Sequence, residues 1–317
     1  MNLDLKTPLA IEAATGALVS AEDAKRGETY FCPGCGDELI FKAGAVKVHH
    51  FAHKPSQICS QETIIHKTAK LVIKQAIASW KAGTGPAPVI RRRCEVCRTR
   101  IDVPLPEKVD RAALEVRLDN GFIVDLGLMV NGRPEAGIEI FVTHAVDAEK
   151  SENLALPFVE LDGYAVIDNP LQWTPIKDHF RPFTCRACTE AFRRFQARTA
   201  QIARYSKIEL PEDYFRYAPI SCWRCKKSIL VFTWPGKQLH EDRPPRKEPT
   251  PRTIQYMYSK TLGGNYWANS CPYCQAIQGD WFLHFEPDGP FWSLSPLEDS
   301  VEAFNQDLRL IAARSRL

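Results

Sequence analysis

Residues 112–142, AALEVRLDNGFIVDLGLMVNGRPEAGIEIFV, decide how the middle of this chain is read. Three runs rich in β-branched and aliphatic residues, Ala112–Leu118, Phe122–Val130 and Gly137–Val142, are separated by Asp119-Asn120-Gly121 and Asn131-Gly132-Arg133-Pro134. Short apolar runs joined by such turns predict a three-stranded meander. Each run carries one acid: Glu115, Asp125 and Glu139. A three-residue loop with Gly121 in the left-handed position sets Glu115 opposite Asp125. An odd-length loop centred on Gly132 sets Asp125 opposite Glu139 and lays all three acids on one face, whereas a two-residue Asn131-Gly132 turn moves Glu139 to the other face. Like charges across a sheet repel, so the one-face arrangement calls for a cation, and hard oxygen ligands suit Mg2+ or Mn2+. The plainer alternative is three solvated acids on half-exposed strands.

Upstream, a helix is predicted from about Gln61 to Trp80. Ser60 is placed to cap it, Glu62 suits its positive end, and Ile65, Ala69, Val72, Ala76 and Trp80 recur at helical spacing. Glu62, His66 and Lys70 form a stripe at i, i+4 and i+8 beside the apolar face. The stripe offers an acid, a base and an ammonium to the site of the strand acids, although such stripes also occur as solvated faces.

Ten of the eleven cysteines form C-x-x-C pairs: Cys32/Cys35, Cys94/Cys97, Cys185/Cys188, Cys222/Cys225 and Cys271/Cys274. Such a turn presents two thiolates to one tetrahedral cation, so the pairs predict about three structural Zn2+ sites. Cys32 and Cys35 with His50 and His53 make one mixed site, for which Cys59 is close enough to replace a histidine. His49 is left out, because adjacent strand residues point to opposite faces. Cys222/Cys225 and Cys271/Cys274 flank strand runs at Ile229–Trp234 and Tyr256–Tyr258, the pattern of a zinc ribbon. By elimination, Cys94/Cys97 meets Cys185/Cys188.

With 41 Lys and Arg against 38 Asp and Glu, the chain carries only +3, so any nucleic-acid surface must be local. The candidates are the helix bearing Arg193, Arg194, Arg198 and Arg204, with Phe192 and Phe195 interleaved, and the proline-rich loop at Arg243–Arg252. No apolar run approaches 18 residues, which predicts a soluble, cytoplasmic protein without membrane contact, in a compartment where thiols stay available for metal. The expected domains are an N-terminal zinc-binding module at 1–58, a central domain at 59–190 with an embedded four-cysteine site, a basic connecting helix at 191–212, and a C-terminal ribbon with a closing helix at 213–317.

Cys32-Pro-Gly-Cys35, His50-Phe51-Ala52-His53, Glu62-x3-His66-x3-Lys70, Glu115, Asp125 and Gly137-Ile138-Glu139-Ile140 together resemble the competence protein CoiA-like family of PD-(D/E)XK, restriction-endonuclease-like nucleases. The resemblance covers roughly residues 28–190. It implies an α/β (α+β) fold, a mixed sheet flanked by helices, with the zinc-binding module and ribbon added. It also implies a Mg2+- or Mn2+-dependent DNA nuclease acting in DNA uptake, recombination or defence, with DNA as partner alongside recombination or defence proteins. Asp125 and Glu139 are then the metal-binding acids, Glu62 the helix-borne acid and Glu115 an accessory acid. One position departs from the signature, since Phe141 stands where a Lys or Gln is expected two residues after the second acid. Lys150 or Lys70 is then left to supply the ammonium. Without either, the resemblance implies a catalytically degenerate DNA-binding or protein-interaction module. The oligomeric state is not written in the sequence.

Overall fold

The computed structural model describes residues 7, 9–44, 48–54, 59–143, 153–154, 156–237, 243–244, 246–294 and 297–315. The α+β chain forms two units that interleave in sequence, Met1–Arg93 with Arg100–Phe183, and Cys94–Thr99 with Thr184–Leu317. No described helix is long and apolar enough to cross a membrane.

The first unit opens with five short strands, β1 (Leu9–Glu12), β2 (Leu18–Ser20), β3 (Tyr30–Phe31), β4 (Glu38–Lys42) and β5 (His50–Ala52). They form an antiparallel sheet in the order β2-β1-β3-β4-β5 over a small core of Ala10, Tyr30, Leu39 and Phe51. Helix α1 (Gln61–Lys81) follows, and its start is the predicted one, since the Ser60 hydroxyl accepts the Thr63 N–H at 3.0 Å. Ile65, Ala69, Ile73 and Ile77 on its apolar face are fully buried. Each of the three isoleucines contributes roughly 2–3 kcal/mol by leaving water.

Two strands, β6 (Val89–Arg93) and β7 (Arg100–Pro104), make a hairpin. The predicted meander follows as β8 (Arg111–Arg117), β9 (Ile123–Val130) and β10 (Arg133–Phe141), then β11 (Phe158–Asp162), the short helix α2 (Gly163–Asp168), β12 (Gln172–Trp173) and β13 (Pro175–Asp178). The central sheet has the order β13-β11-β10-β9-β8. It is mixed, with β10 and β11 parallel and the other neighbours antiparallel. Leu126, Leu128, Ile138, Ile140, Val159 and Leu161 meet Ala69, Ile73 and Ile77 of α1 in one core.

Both turns can be compared with the expected register. Gly121 is left-handed at φ +88, and Leu114 pairs with Leu126 while Val116 pairs with Val124, so Glu115 faces Asp125 across the strands. At the second turn, Asn131 and Gly132 have φ of +50 and +77, the two-residue form that pairs Val130 with Arg133. A bulge between Pro134 and Ala136 then shifts the ladder by one. Beyond it Ile138 pairs with Leu126, which brings Asp125 level with Glu139.

The expectation that the three acids share one face is nevertheless corrected. Glu115 has φ +50, which breaks the alternation of β8, and the regular β9–β10 ladder ends at Ile138 and Leu126. Glu139 stands between Ile138 and Ile140, both in the core beneath α1, and so leaves β10 on the opposite face. Asp125 turns toward α1 instead.

The second unit contains α3 (Arg186–Ser206), β14 (Arg216–Ser221), β15 (Ser228–Thr233), β16 (Ile254–Ser259), β17 (Gly264–Ser270), β18 (Ile277–Gln278), α4 (Asp280–His284) and α5 (Val301–Arg314). Strands β14 and β15 form a hairpin, and β16, β17 and β18 form a second antiparallel sheet. Phe195, Phe215, Phe232, Trp234 and Leu308 anchor its core. Arg216 is wholly buried, with its Nε donating to Asp307 at 2.8 Å and further bonds to the carbonyls of Tyr214 and Glu298. The aromatics interleaved with the arginines of α3 are wholly or partly covered. Phe195 is fully buried and Phe192 stacks on it at 6.3 Å, because both lie on the apolar stripe of the helix.

Candidate functional site

Among the described residues the candidate metal ligands gather into three groups, in each of which one donor atom per residue lies within 4.8 Å of the others. They are Cys32, Cys35, His53 and Cys59; Cys94, Cys97, Cys185 and Cys188; and Cys222, Cys225, Cys271 and Cys274. Three or four soft thiolates with at most one imidazole, packed this closely, suit a tetrahedral zinc ion. Four of the pairs share one local design. The residue after the second cysteine is left-handed at Gly36, Arg98, Lys226 and Gln275, and the chain turns back so that the first cysteine's N–H donates to the carbonyl five residues on, that of Asp37, Thr99, Lys227 or Ala276. Cys185 and Cys188 differ, because they sit at the start of α3, where Cys185 is the residue preceding the first turn.

Side-chain and backbone contacts bear out the closeness of each set. Cys35 Sγ lies 3.4 Å from His53 Nε2, Cys97 Sγ 3.8 Å from Cys185 Sγ, and Cys225 Sγ 3.6 Å from Cys271 Sγ. Burial, then the charges of Cys32 and Cys35, push the Cys59 thiol up to about 12, the crowding that a bound cation relieves. The first group departs from the fourfold set of Cys32, Cys35, His50 and His53. His50 lies on β5 beside the buried Phe51 and turns Nδ1 to the Val48 carbonyl at 2.9 Å. Cys59, next to the cap of α1, takes the fourth place. A helix start can carry a ligand across a gap that strand alternation denies to His50, and only the proximity of Cys59 in sequence hinted at it.

A second cluster lies where α1 crosses the end of β8 and β9. His66 Nε2 donates to Asp125 Oδ2 at 3.0 Å, Lys70 Nζ approaches Asp125 Oδ1 at 3.4 Å, and Lys70 also donates to Glu115. The Ile140 N–H reaches Asp125 Oδ2 at 2.9 Å in place of a further rung of the strand ladder. The side chains of Lys70 and Asp125 are only 5% and 13% exposed, whereas His66 and Glu115 are 31% and 58% exposed. Burial by itself raises the pKa of Asp125. The His66 bond and charge, the Ile140 N–H and Lys70 outweigh it and hold the carboxyl at about 2.

The other predicted acids lie elsewhere. Glu62 is exposed in the first turn of α1 and accepts the Thr143 hydroxyl. Glu139 is buried beside Glu160, its partner on β11, and Glu160 pairs with Lys177 of β13 at 3.4 Å. Sequence reasoning missed Glu160 and Lys177, which lie on neighbouring strands β11 and β13. The register of a parallel strand reached by a crossover is not set by any local turn. Lys150 lies outside the described residues.

Asp125 thus has one oxygen on Lys70 and the other on His66 and Ile140, while Glu139 leaves the opposite face. Among the described residues Asp125 and Glu139 thus offer no shared site, and with both Asp125 oxygens taken by His66, Lys70 and the Ile140 N–H the acids as placed do not fit a Mg2+ or Mn2+ ion bound between them.

A family model described as the N-terminal domain of competence protein CoiA matches residues 18–62. Competence protein CoiA of Bacillus subtilis (strain 168) is 30% identical over 86 residues, which cover 27% of this chain. The match spans 23%, about a quarter, of that relative's length. No solved structure matches.

Proposed function

We propose, from the premise that the chain is CoiA-like, that it acts on DNA as a nuclease-type phosphodiesterase with its centre at His66, Lys70, Glu115 and Asp125. The observation that carries the reading is the joining of two bases of α1 to a strand acid at the point where the β9–β10 ladder gives way. The sequence of elements α1, β8, β9, β10 and β11, with β10 parallel to β11, supports a PD-(D/E)XK-type core.

The chain's own residues supply the following chemistry. Asp125 holds His66 through Nε2, leaving Nδ1 as a base for a water molecule. The water oxygen bonds to phosphorus as His66 takes its proton, and the bond to the leaving sugar oxygen breaks, that oxygen taking a proton from solvent. Lys70 fixes Asp125 and Glu115 and lends positive charge to the centre. No step is drawn through a divalent ion, because as placed Asp125 is committed to His66, Lys70 and the Ile140 N–H.

The test is cleavage of single- and double-stranded DNA by the zinc-loaded full chain, with EDTA-treated buffer, Mg2+ and Mn2+ as separate arms. Asp125→Ala and His66→Ala are each expected to lower the rate at least about 100-fold, within the range for removal of general-base assistance. Cleavage that survives both substitutions overturns the reading. A second reading is DNA binding without turnover. It is favoured by Phe141 at the signature's lysine position and by Lys70 neutralising the acids that a metal would need. Its sign is DNA bound by the wild type and cut in none of the arms.

A further inference from the structure

The polar stripe of α1 does not stop at Lys70. Four residues on, Lys74 is exposed, and it lines a cavity of about 490 Å³ together with Ala78, Arg111, Ala112, Ala113 and Leu114. One wall is α1, and the other is β8, the outermost strand of the central sheet. Alanines at positions 78, 112 and 113 keep the walls low, so the backbone of an edge strand is within reach of a ligand.

The charges in this groove are distinctive. Lys70 pairs with Glu115 and Asp125, Lys67 donates to the Gly34 carbonyl, and Lys81 pairs with Glu107. Among the described residues, Lys74 and Arg111 have neither an ion pair nor a side-chain hydrogen bond. Two uncommitted cations thus flank a groove that begins, along α1 and β8, one helical turn beyond Lys70 and one residue from Glu115. Four residues of helix advance about 6 Å, comparable with the span of one nucleotide along an extended strand. A phosphate at His66 and Lys70 would place the next one at Lys74 and Arg111.

We propose that the groove between α1 and β8 is a seat for the phosphodiester backbone of a DNA strand, with Lys74 and Arg111 contacting the phosphates next to the centre. The groove reads charge and spacing and carries no base specificity, as backbone contacts do. This inference rests on the reading that the centre at Asp125 acts on DNA. Lys74 and Arg111 are binding residues that hold the strand in register with His66.

The test uses the zinc-loaded full chain and a fluorescent single-stranded oligonucleotide. Binding is measured by anisotropy between about 50 and 200 mM salt, for wild type, the double variant Lys74→Gln/Arg111→Gln and the charge reversal Lys74→Glu/Arg111→Glu. The neutral pair serves as the milder variant, with metal content and circular dichroism reporting on its fold. Loss of two phosphate contacts is expected to flatten the slope of log affinity against log salt by roughly 1.4, and the reversal to weaken binding about tenfold or more. Inorganic phosphate is expected to compete only at far higher concentration than unlabelled oligonucleotide. Unchanged affinity and slope in both folded variants overturn the seat while leaving the nuclease reading intact. Phosphate competing as well as the oligonucleotide also overturns it, since the groove is then a simple anion site. A wild type that neither binds nor cuts DNA removes both proposals together.

Discussion

Replacing Lys70 with methionine keeps most of the buried stem of the side chain and deletes its charge, leaving Asp125 and Glu115 facing each other without the ammonium between them. With Nζ 3.4 Å from Asp125 Oδ1, two unit charges attract by about 5 kcal/mol at an effective dielectric constant of 20. Desolvation of the 5%-exposed lysine offsets part of that. The pair is therefore expected to contribute a coupling of about 2 kcal/mol, and Lys70→Met alone to destabilise the first unit by about 3–5 kcal/mol, the range for an orphaned buried charge. Asp125→Asn removes the other partner, and the double variant removes both. Urea unfolding at pH 7 in the presence of zinc, followed by Trp80 or Trp173 fluorescence, gives the four free energies of the cycle. The double variant should be about 2 kcal/mol more stable than the sum of the single losses predicts. A coupling below about 0.5 kcal/mol refutes the claim that Lys70 fixes Asp125.

Zinc content provides another check. Cys59→Ser is expected to lower the metal count from three to two per chain by elemental analysis, while His50→Ala retains three, because Cys59 and not His50 stands in the first group. For Asp125, the depressed pKa means that its stabilisation is present above its ordinary value of 3.8 and lost as the pH falls through about 2. Its carboxyl carbon resonance should show the ionised form at pH 3.5 in the wild type and partial protonation there in His66→Ala. A wild-type midpoint at or above 3.8 contradicts the arrangement.

The parts of the fold legible in the sequence were those governed by local chemistry. Ser60 announced the start of α1, Gly121 the three-residue turn, and the C-x-x-C spacing the pairs of thiols that enter the three groups. The second turn shows the limit of local reasoning. Asn131-Gly132 does form the two-residue turn its composition favours, and the bulge before Ala136 then restores the register of a longer loop. Two opposite readings of one turn were each half right, because a bulge leaves little trace in composition. The face taken by Glu139 was likewise illegible. It depends on the left-handed backbone at Glu115 and on which apolar residues α1 covers, both of which are tertiary. The stripe of His66 and Lys70 was visible as helical spacing, but only packing could show that it meets Asp125 and bypasses Glu62.

The interleaving of the two units bears on how the protein is made. Cys94 and Cys97 leave the ribosome as an open pair of thiols, and Cys185, which joins them in one metal group, follows Cys94 by 91 positions. At 5–20 residues per second the wait is roughly 5–18 s. Throughout it the pair is exposed to oxidants and to whatever metal is at hand, while the second segment of the first unit, Arg100–Phe183, is still being synthesised. With zinc as the ion this group would take, the yield of metallated protein is expected to follow the redox poise and free zinc of the compartment during translation, a dependence that refolding of the finished chain would never reveal.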